Sequence, residues 1–378
     1  MLTVSRTALL AGADPGCAGL LERLVRNATG GLRLTLTDEA VAFTLAGTRR
    51  SDGRWQVVPA GRSRRYATIA ALGLLRLGEQ DQRAVLGGED CHDLVSRLAK
   101  RLDTMTSLAD VALLCWAAAE AGHSELPHAL ARLGQLDGHG GPVEVVTAAW
   151  TVSALVAARP HADVERKLAM ARQRLLSARG ILYPHLTGGG SWYRAHLGSF
   201  ADQIYPVQAL ARLHASADDP AALAAAGSVA AAICAAQGEA GQWWWHYDAR
   251  TGAVVEGYPV YSVHQHAMAP MALLDLADAG GECHLAAICR GLRWLSQRPE
   301  ASEQLVLDQP PVTWRKVARA DPGKLVRGVR SASTRLKPGL RLTVLDRLFP
   351  PGPVDHECRP YELGWLLYAW LPAQGGAR

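Results

Sequence analysis

From Tyr66 to Trp370 the chain repeats one kind of segment, an Ala/Leu-rich stretch of helical periodicity closed off by Gly, Pro, Asp or Ser. This repetition limits the fold more than any single motif does. The periodicity predicts helices at about 67–78, 89–101, 107–121, 125–135, 143–158, 163–178, 203–215, 219–236, 264–279, 283–296 and 361–371. One more is predicted over Asp14–Asn27, where Leu20, Leu21, Leu24 and Val25 fall on one face before Gly30 and Gly31 stop the pattern. Taken in order, the helices pair into hairpins that start near 67, 107, 143, 203, 264 and 361. Connections within pairs are short (HSELP, RPHA, SADD, AGGE), as antiparallel neighbours require.

Three connections between pairs are long: about 179–202, 237–263 and 297–360. Each precedes the first helix of a pair, so in a closed ring all three gather on one rim, where loops on a rigid scaffold carry function. A weak repeat supports that register. Asp202 lies four residues before Pro206 and His266 four before Pro270, and Arg359-Pro360-Tyr361 echoes the arrangement. A Pro in each place is expected in the first turn of an apolar helix. The alternating segment LRLTLTDEAVAFTL (32–45) reads as one or two short strands, a lid or flap. The expected fold class is therefore all-α, an (α/α)6 barrel of six helical hairpins with a small N-terminal β excursion. Residues 1–60 form an N-terminal helix and β flap packed on the barrel, and 61–378 the barrel itself.

Hydrophobic residues make up 49% of the chain and charged residues 20%, ample material for a core and too little charge for disorder. No apolar run approaches the roughly 20 residues of a membrane span, and no secretory h-region opens the sequence, so cytoplasm is the expected location. Seven cysteines without a CxxC pair read as free or core thiols of a reducing compartment. The net charge of +5 concentrates between Arg315 and Arg341, a run that fits either an anionic partner or a solvated loop. No nucleic-acid motif is present. Walker, Rossmann and G-x-S-x-G patterns are absent, as is the Asp-rich motif of class II terpene cyclases. Neither His264/His266 nor Asp355/His356/Cys358 has zinc-ligand spacing, so no metal and no cofactor are expected.

Chemistry concentrates in Gly241–Met271, GQWWWHYDARTGAVVEGYPVYSVHQHAMAPM. Trp243, Trp244 and Trp245 precede the turn at Asp248, which suggests a hairpin with Trp243 and Trp245 on one face. Flat rings with a polar tip suit sugars, and they suit an aromatic plug equally. Glycoside hydrolysis needs paired carboxylates, for which Asp202, Asp248, Glu256 and Glu357 are the rim candidates. Elimination or epimerisation of a uronic acid needs instead a base and a cation that neutralises the carboxylate. Tyr258, Tyr261, His264 and His266 supply candidate bases, and Arg359 the cation, with Arg194 a second candidate for that part. Asp202, Glu256, Tyr258, Tyr261, His264 and Arg359 form the catalytic candidates. Tyr66, Trp192, Arg194, Tyr205, Trp243, Trp245, His246, Asp248, His266 and Glu357 are the candidates for substrate binding.

Six hairpins with polar, aromatic loops on one rim resemble the (α/α)6 toroids: six-hairpin glycosidases, polysaccharide lyases, sugar epimerases and, further off, terpenoid cyclases. SFADQIYPVQALARL (199–213), VVEGYPVYSVHQHAMAPMALL (254–274) and ECRPYELGWLLYAW (357–370) resemble a family of bacterial toroid proteins that accompany glycosyltransferases of surface-polysaccharide synthesis. That family carries Asp after the His-Gln pair, where this chain has His266. Glu256, Tyr258 and Pro259 resemble a segment of the glucuronyl C5-epimerases. The resemblance implies action on a polysaccharide or oligosaccharide by hydrolysis, elimination or uronic-acid epimerisation. Two alternatives stand beside it: a non-catalytic glycan-binding or assembly subunit, favoured by His266, and an isoprenoid-handling toroid.

Overall fold

The computed structural model describes residues 5–37, 41–138, 140–190, 193–319, 324–340 and 342–374. Helices α1 (Arg6–Ala13) and α2 (Pro15–Leu34) open the chain. Then come α3 (Arg64–Leu74), α4 (Glu79–Leu86), α5 (Cys91–Ala99), α6 (Leu108–Glu120), α7 (Leu126–Asp137), α8 (Val145–Ala158) and α9 (Glu165–Ser177). After these follow α10 (Phe200–Ala217), α11 (Pro220–Ala235), α12 (Ala269–Asp278), α13 (Leu285–Gln297), α14 (Lys324–Leu336), α15 (Thr343–Leu348) and α16 (Pro360–Trp370). Helices α3, α6, α8, α10, α12 and α16 pack each on the next, and α16 returns to α3, closing an inner ring. Outside it, α5, α7, α9, α11 and α13 each back the inner helix that precedes them, and α2 backs α16.

Burial separates the two layers. Inner helices are buried on nearly every side: α6 is buried from Val111 through Ala119, and α16 from Glu362 through Trp370. Outer helices bury one stripe, as α9 does with Leu168, Ala171 and Leu175 at i, i+3 and i+7. The seam between α3 and α16 depends on glycine. A Cβ on Gly364 would stand 2.5 Å from the carbonyl oxygen of Ile69 and 2.9 Å from the Cα of Ala70, so only a bare backbone permits this approach.

Helix starts differ in places from the periodic pattern. α10 begins at Phe200, capped by Ser199, so Pro206 lies inside the helix and not in its first turn. The pattern missed this because Phe200–Gln203 are mixed in polarity. Similarly, α12 is preceded by a π-helical turn, His264–Met268, which a period of 3.6 cannot signal. Helix α4 and the pair α14 and α15, the latter inside the last long connection, are further additions.

The strands are short and confined to the loops. β1 (Thr44–Arg49) and β2 (Trp55–Ala60) form the N-terminal hairpin. β3 (Leu197–Ser199), β4 (His246–Asp248) and β5 (Val254–Glu256) form one small sheet, and β6 (Val260–Tyr261), β9 (Lys316–Arg319) and β10 (Pro351–Asp355) another. β7 (Val306–Asp308) pairs with β8 (Pro311–Thr313), and β11 (Glu357–Cys358) joins the free edge of β1. These sheets tie the long loops together over the N-terminal ends of the inner helices.

At the other end of the ring a polar knot joins four inner helices. Glu120 accepts hydrogen bonds from Arg212 (2.8 Å), Arg76 (2.9 Å), Trp116 (2.7 Å) and the Tyr368 hydroxyl (2.5 Å). The neighbouring arginines hold its carboxyl below the usual range despite its burial. No helix among the described residues is long and apolar enough to cross a membrane.

Candidate active site

The first turns of α3, α8, α10 and α16 meet the loops before α12 and α16 around a cavity of about 240 Å³ on the ring axis. Its walls are largely aromatic, from Tyr66, Trp150, Tyr205, Trp245, Tyr261 and Tyr361. Trp245 stacks on Tyr261 (4.8 Å, 27°), Tyr66 lies 4.6 Å from Tyr361, and Trp150 meets Tyr205 edge-on at 5.2 Å. His264, the first residue of the π-helical turn, lies 5.1 Å from Tyr261.

Three arginines enter the same space: Arg65, Arg315 and Arg359. Arg359 donates from Nε and Nη2 to Glu357 (3.0 and 2.8 Å) and from Nη1 to the Tyr66 hydroxyl (3.0 Å), and it lies over the Phe43 ring. Arg315 lies over Tyr261 and pairs with Asp355 (3.2 Å) and Glu357 (3.3 Å). The acids are thus spent on orienting the arginines, whose guanidinium planes are fixed before a ligand arrives. Burial raises the Tyr261 phenol, so it stays protonated and able to donate. Burial also pushes His264 down to about 3, so its ring is neutral, and its Nδ1 has no hydrogen-bond partner.

Trp245 also forms one wall of an adjoining cavity of about 320 Å³, with His185, Leu186, Arg194, Asp202 and His246. Asp202 is fully buried and accepts from both the backbone N–H and the hydroxyl of Ser199 (each 2.7 Å), which fixes it in the first turn of α10. The Nδ1–H of His185 points at its carboxylate at 3.3 and 3.4 Å. That hydrogen bond raises the His185 pKa, giving a carboxylate-backed imidazole whose ring is exposed to the cavity. His246 is the opposite case, pushed down to about 3 by burial with Arg194 nearby.

Several sequence candidates lie elsewhere. Glu256 is buried between Arg330 (2.9 Å) and Arg319 (3.6 Å), which also share Asp346. Tyr258 donates to Glu300 (2.7 Å), and Asp248 is tied to Arg250 (2.7 Å) in its turn. Trp243 is fully buried against Phe200, because residues 242–245 are not strand and the expected alternation does not hold. Trp244 packs instead on Tyr258, so of the three tryptophans Trp245 is the one on the cavities. His266 is fully buried, with both ring nitrogens unpartnered, and it lines neither cavity. Trp192 lies outside the described residues.

The sequence reading passed over three residues. Arg315 was hidden in the basic run, whose Arg315, Lys316, Arg319 and Arg330 are paired internally. His185 stands just before Gly188–Gly190 in a loop without periodicity. Glu362, in the first turn of α16, is fully buried, with Arg315 4.0 Å away and neither carboxylate oxygen hydrogen-bonded. Burial raises it to about 8. An acid in the first turn after Arg359-Pro360 was the available signal. Asp14, Cys17 and Cys289 also cluster, but Arg293 pairs with Asp14 and burial holds the Cys17 thiol up at about 12, protonated and unsuited to a metal.

No protein-family model matches the chain, and no curated protein sequence does. Solved structures match over nearly its whole length. An unsaturated glucuronyl hydrolase specific for heparin aligns with a TM-score of 0.56 at 13% identity, over 93% of this chain and 96% of that one. The unsaturated glucuronyl hydrolase of Bacillus sp. GL1 gives 0.57 at 13%, over 94% and 97%. A variant of the Streptococcus agalactiae enzyme complexed with dGlcA-GalNAc6S gives 0.57 at 12%, over 93% and 90%. The chain shares the six-hairpin (α/α)6 toroid fold of these hydrolases.

Proposed function

We propose that the chain is a carbohydrate-active protein that takes the acidic sugar of a polysaccharide or oligosaccharide into the axial cavity. The observation that carries this reading is the convergence of Arg315 and Arg359, both pre-oriented by acids, with the stacked pair Trp245 and Tyr261. Aromatic faces suit the C–H faces of a sugar, and paired guanidiniums suit its carboxylate. The glucuronyl substrates in the names of the structural neighbours are of that class.

Proton removal beside the carboxylate fits this cavity better than hydrolysis between two carboxylates. Of the four rim acids proposed from sequence, only Asp202 opens on either cavity described. With the carboxylate held by Arg315 and Arg359, the C5–H bond breaks towards a neutral base, His264 on the axial side. Its electron pair moves into the carboxylate. A proton given to the opposite face of C5 by a second donor, Tyr261 or His185, gives the epimer, while His264 keeps the proton it took. Loss of the C4 oxygen, protonated by Tyr261 or His185, gives the unsaturated sugar. Against the isoprenoid reading stands the basic run, whose Arg315, Lys316, Arg319 and Arg330 are spent on ion pairs within the chain and not left for a pyrophosphate. A cytoplasmic location belongs to this proposal, supported by seven thiols of which none is in a disulfide.

The test is incubation with uronic-acid oligosaccharides, following absorbance of an unsaturated sugar, new reducing ends and solvent deuterium at C5. Activity in the first or third readout is expected, with Arg359→Ala lowering it by about a hundredfold or more. New reducing ends without unsaturation would instead indicate hydrolysis, and binding without turnover a glycan-binding module.

A further inference from the structure

The axial cavity has a larger neighbour. A cleft of about 820 Å³ adjoins it, and Arg65 and Tyr66 line both. The start of α3, the C-terminal end of α5 and Asp110 of α6 form it, with Phe43 beside them. Among the described residues six cations face it, Arg62, Arg64, Arg65, Arg97, Lys100 and Arg101, against one acid, Asp110. Asp110 is taken by Arg65 at 2.5 Å, and Arg97 is paired with Glu89 outside the cleft lining. Arg64, Lys100 and Arg101 are exposed and have no ion pair among the described residues.

Helix electrostatics explain only part of this. Lys100 and Arg101 follow the C-terminal end of α5, where the dipole favours cations. Arg64 and Arg65 occupy the first turn of α3, which carries no acid, and there the dipole disfavours them. Cations at the positive end of a helix, facing an open cleft next to an arginine-lined cavity, work against local stability. They make sense when a negative ligand completes them.

We propose that this cleft is a second subsite, which holds the following acidic sugars of a polyanionic glycan whose end occupies the axial cavity. The proposal rests on the axial reading for the polarity of the chain. Phe43 and Tyr66, stacked 5.2 Å apart, form the aromatic wall between the two spaces, and the free cations take carboxylate or sulfate groups along the cleft. Affinity then grows with the length of the glycan and falls with salt.

The experiment is calorimetric titration of the full chain with a uronic-acid disaccharide, a hexasaccharide of the same repeat, and a DNA oligomer of equal charge, at low and high salt. The hexasaccharide is expected to bind at least about tenfold tighter than the disaccharide, with the advantage lost at high salt. Charge reversal at Lys100→Glu with Arg101→Glu places like charges against the ligand and should remove that advantage. Arg166→Glu with Lys167→Glu, on the exposed face of the outer helix α9, makes the same change in net charge and controls for it. Arg64→Glu separates ligand binding from folding, since an acid in the first turn of α3 should raise the melting temperature while the hexasaccharide affinity falls. A hexasaccharide no tighter than the disaccharide overturns the subsite and leaves the axial reading standing. If the hexasaccharide binds through the cleft and the disaccharide not at all, the axial reading falls and the cleft remains. DNA binding as tight as the glycan, or no binding by either sugar, overturns the subsite.

Discussion

Glu362 is the residue whose charge state the fold constrains most plainly. Its carboxyl is buried, has no hydrogen bond and sits near Arg315, and its pKa rises from 4.5 to about 8. A raised carboxyl pKa means that the native state prefers the proton. Its favourable contribution is complete below pH 4.5 and is lost as the pH rises through about 8. A tenfold change in proton affinity corresponds to about 1.4 kcal/mol. Glu362→Gln, a neutral isostere, should therefore gain stability relative to the native chain between pH 5 and 8, and denaturant titrations across that window measure it. A pH-independent difference would show that the acid is ionised throughout. Arg359 and Tyr66 were readable in advance because each stands beside a helix start, which fixes the rim it faces. The partners of Glu256 were not, since Arg319 and Arg330 arrive from a loop more than sixty residues on. Which of three consecutive tryptophans meets the cavity is likewise decided by the local backbone and not by composition.

Among the elements, the meeting of α3 and α16 offers the clearest test. Gly364→Ala gains about 1 kcal/mol of helix propensity, but its Cβ would press on the backbone of Ile69 and Ala70. Backbone cannot swing aside as a side chain can, and overpacking of this kind costs about 1–3 kcal/mol. A net loss of stability is expected in urea denaturation. Gly227→Ala on α11, where the new methyl group meets nothing within 4 Å, should gain up to about 1 kcal/mol. Equal effects at the two glycines would mean that the α3–α16 approach is looser than described. Most helices were legible because their apolar faces repeat at 3.6 residues. The π-helical turn at His264–Met268, the early start of α10 and the strands of two or three residues carry no such period, and they were not.

At the scale of the molecule, the expected division into 1–60 and 61–378 can be tested directly. The outer face of α16 is covered by α2, and β11 pairs with β1, so both contacts reach across more than three hundred residues. A fragment of residues 61–378 should lose cooperative unfolding and expose apolar surface to a dye such as ANS. A melting temperature equal to that of the whole chain would mark the barrel as self-sufficient. Hairpin counting found the ring, but pairing of the first helix with the last is a non-local choice that no window of sequence reports. It has a consequence for biosynthesis. As the polypeptide leaves the ribosome, five hairpins can form in turn, while α2 waits beside an empty slot and the flanks of α3 and α12 stay uncovered. Only when residues 360–370 clear the exit tunnel can the last stave be set, so until then the nascent chain holds an open ring whose apolar flanks call for a chaperone.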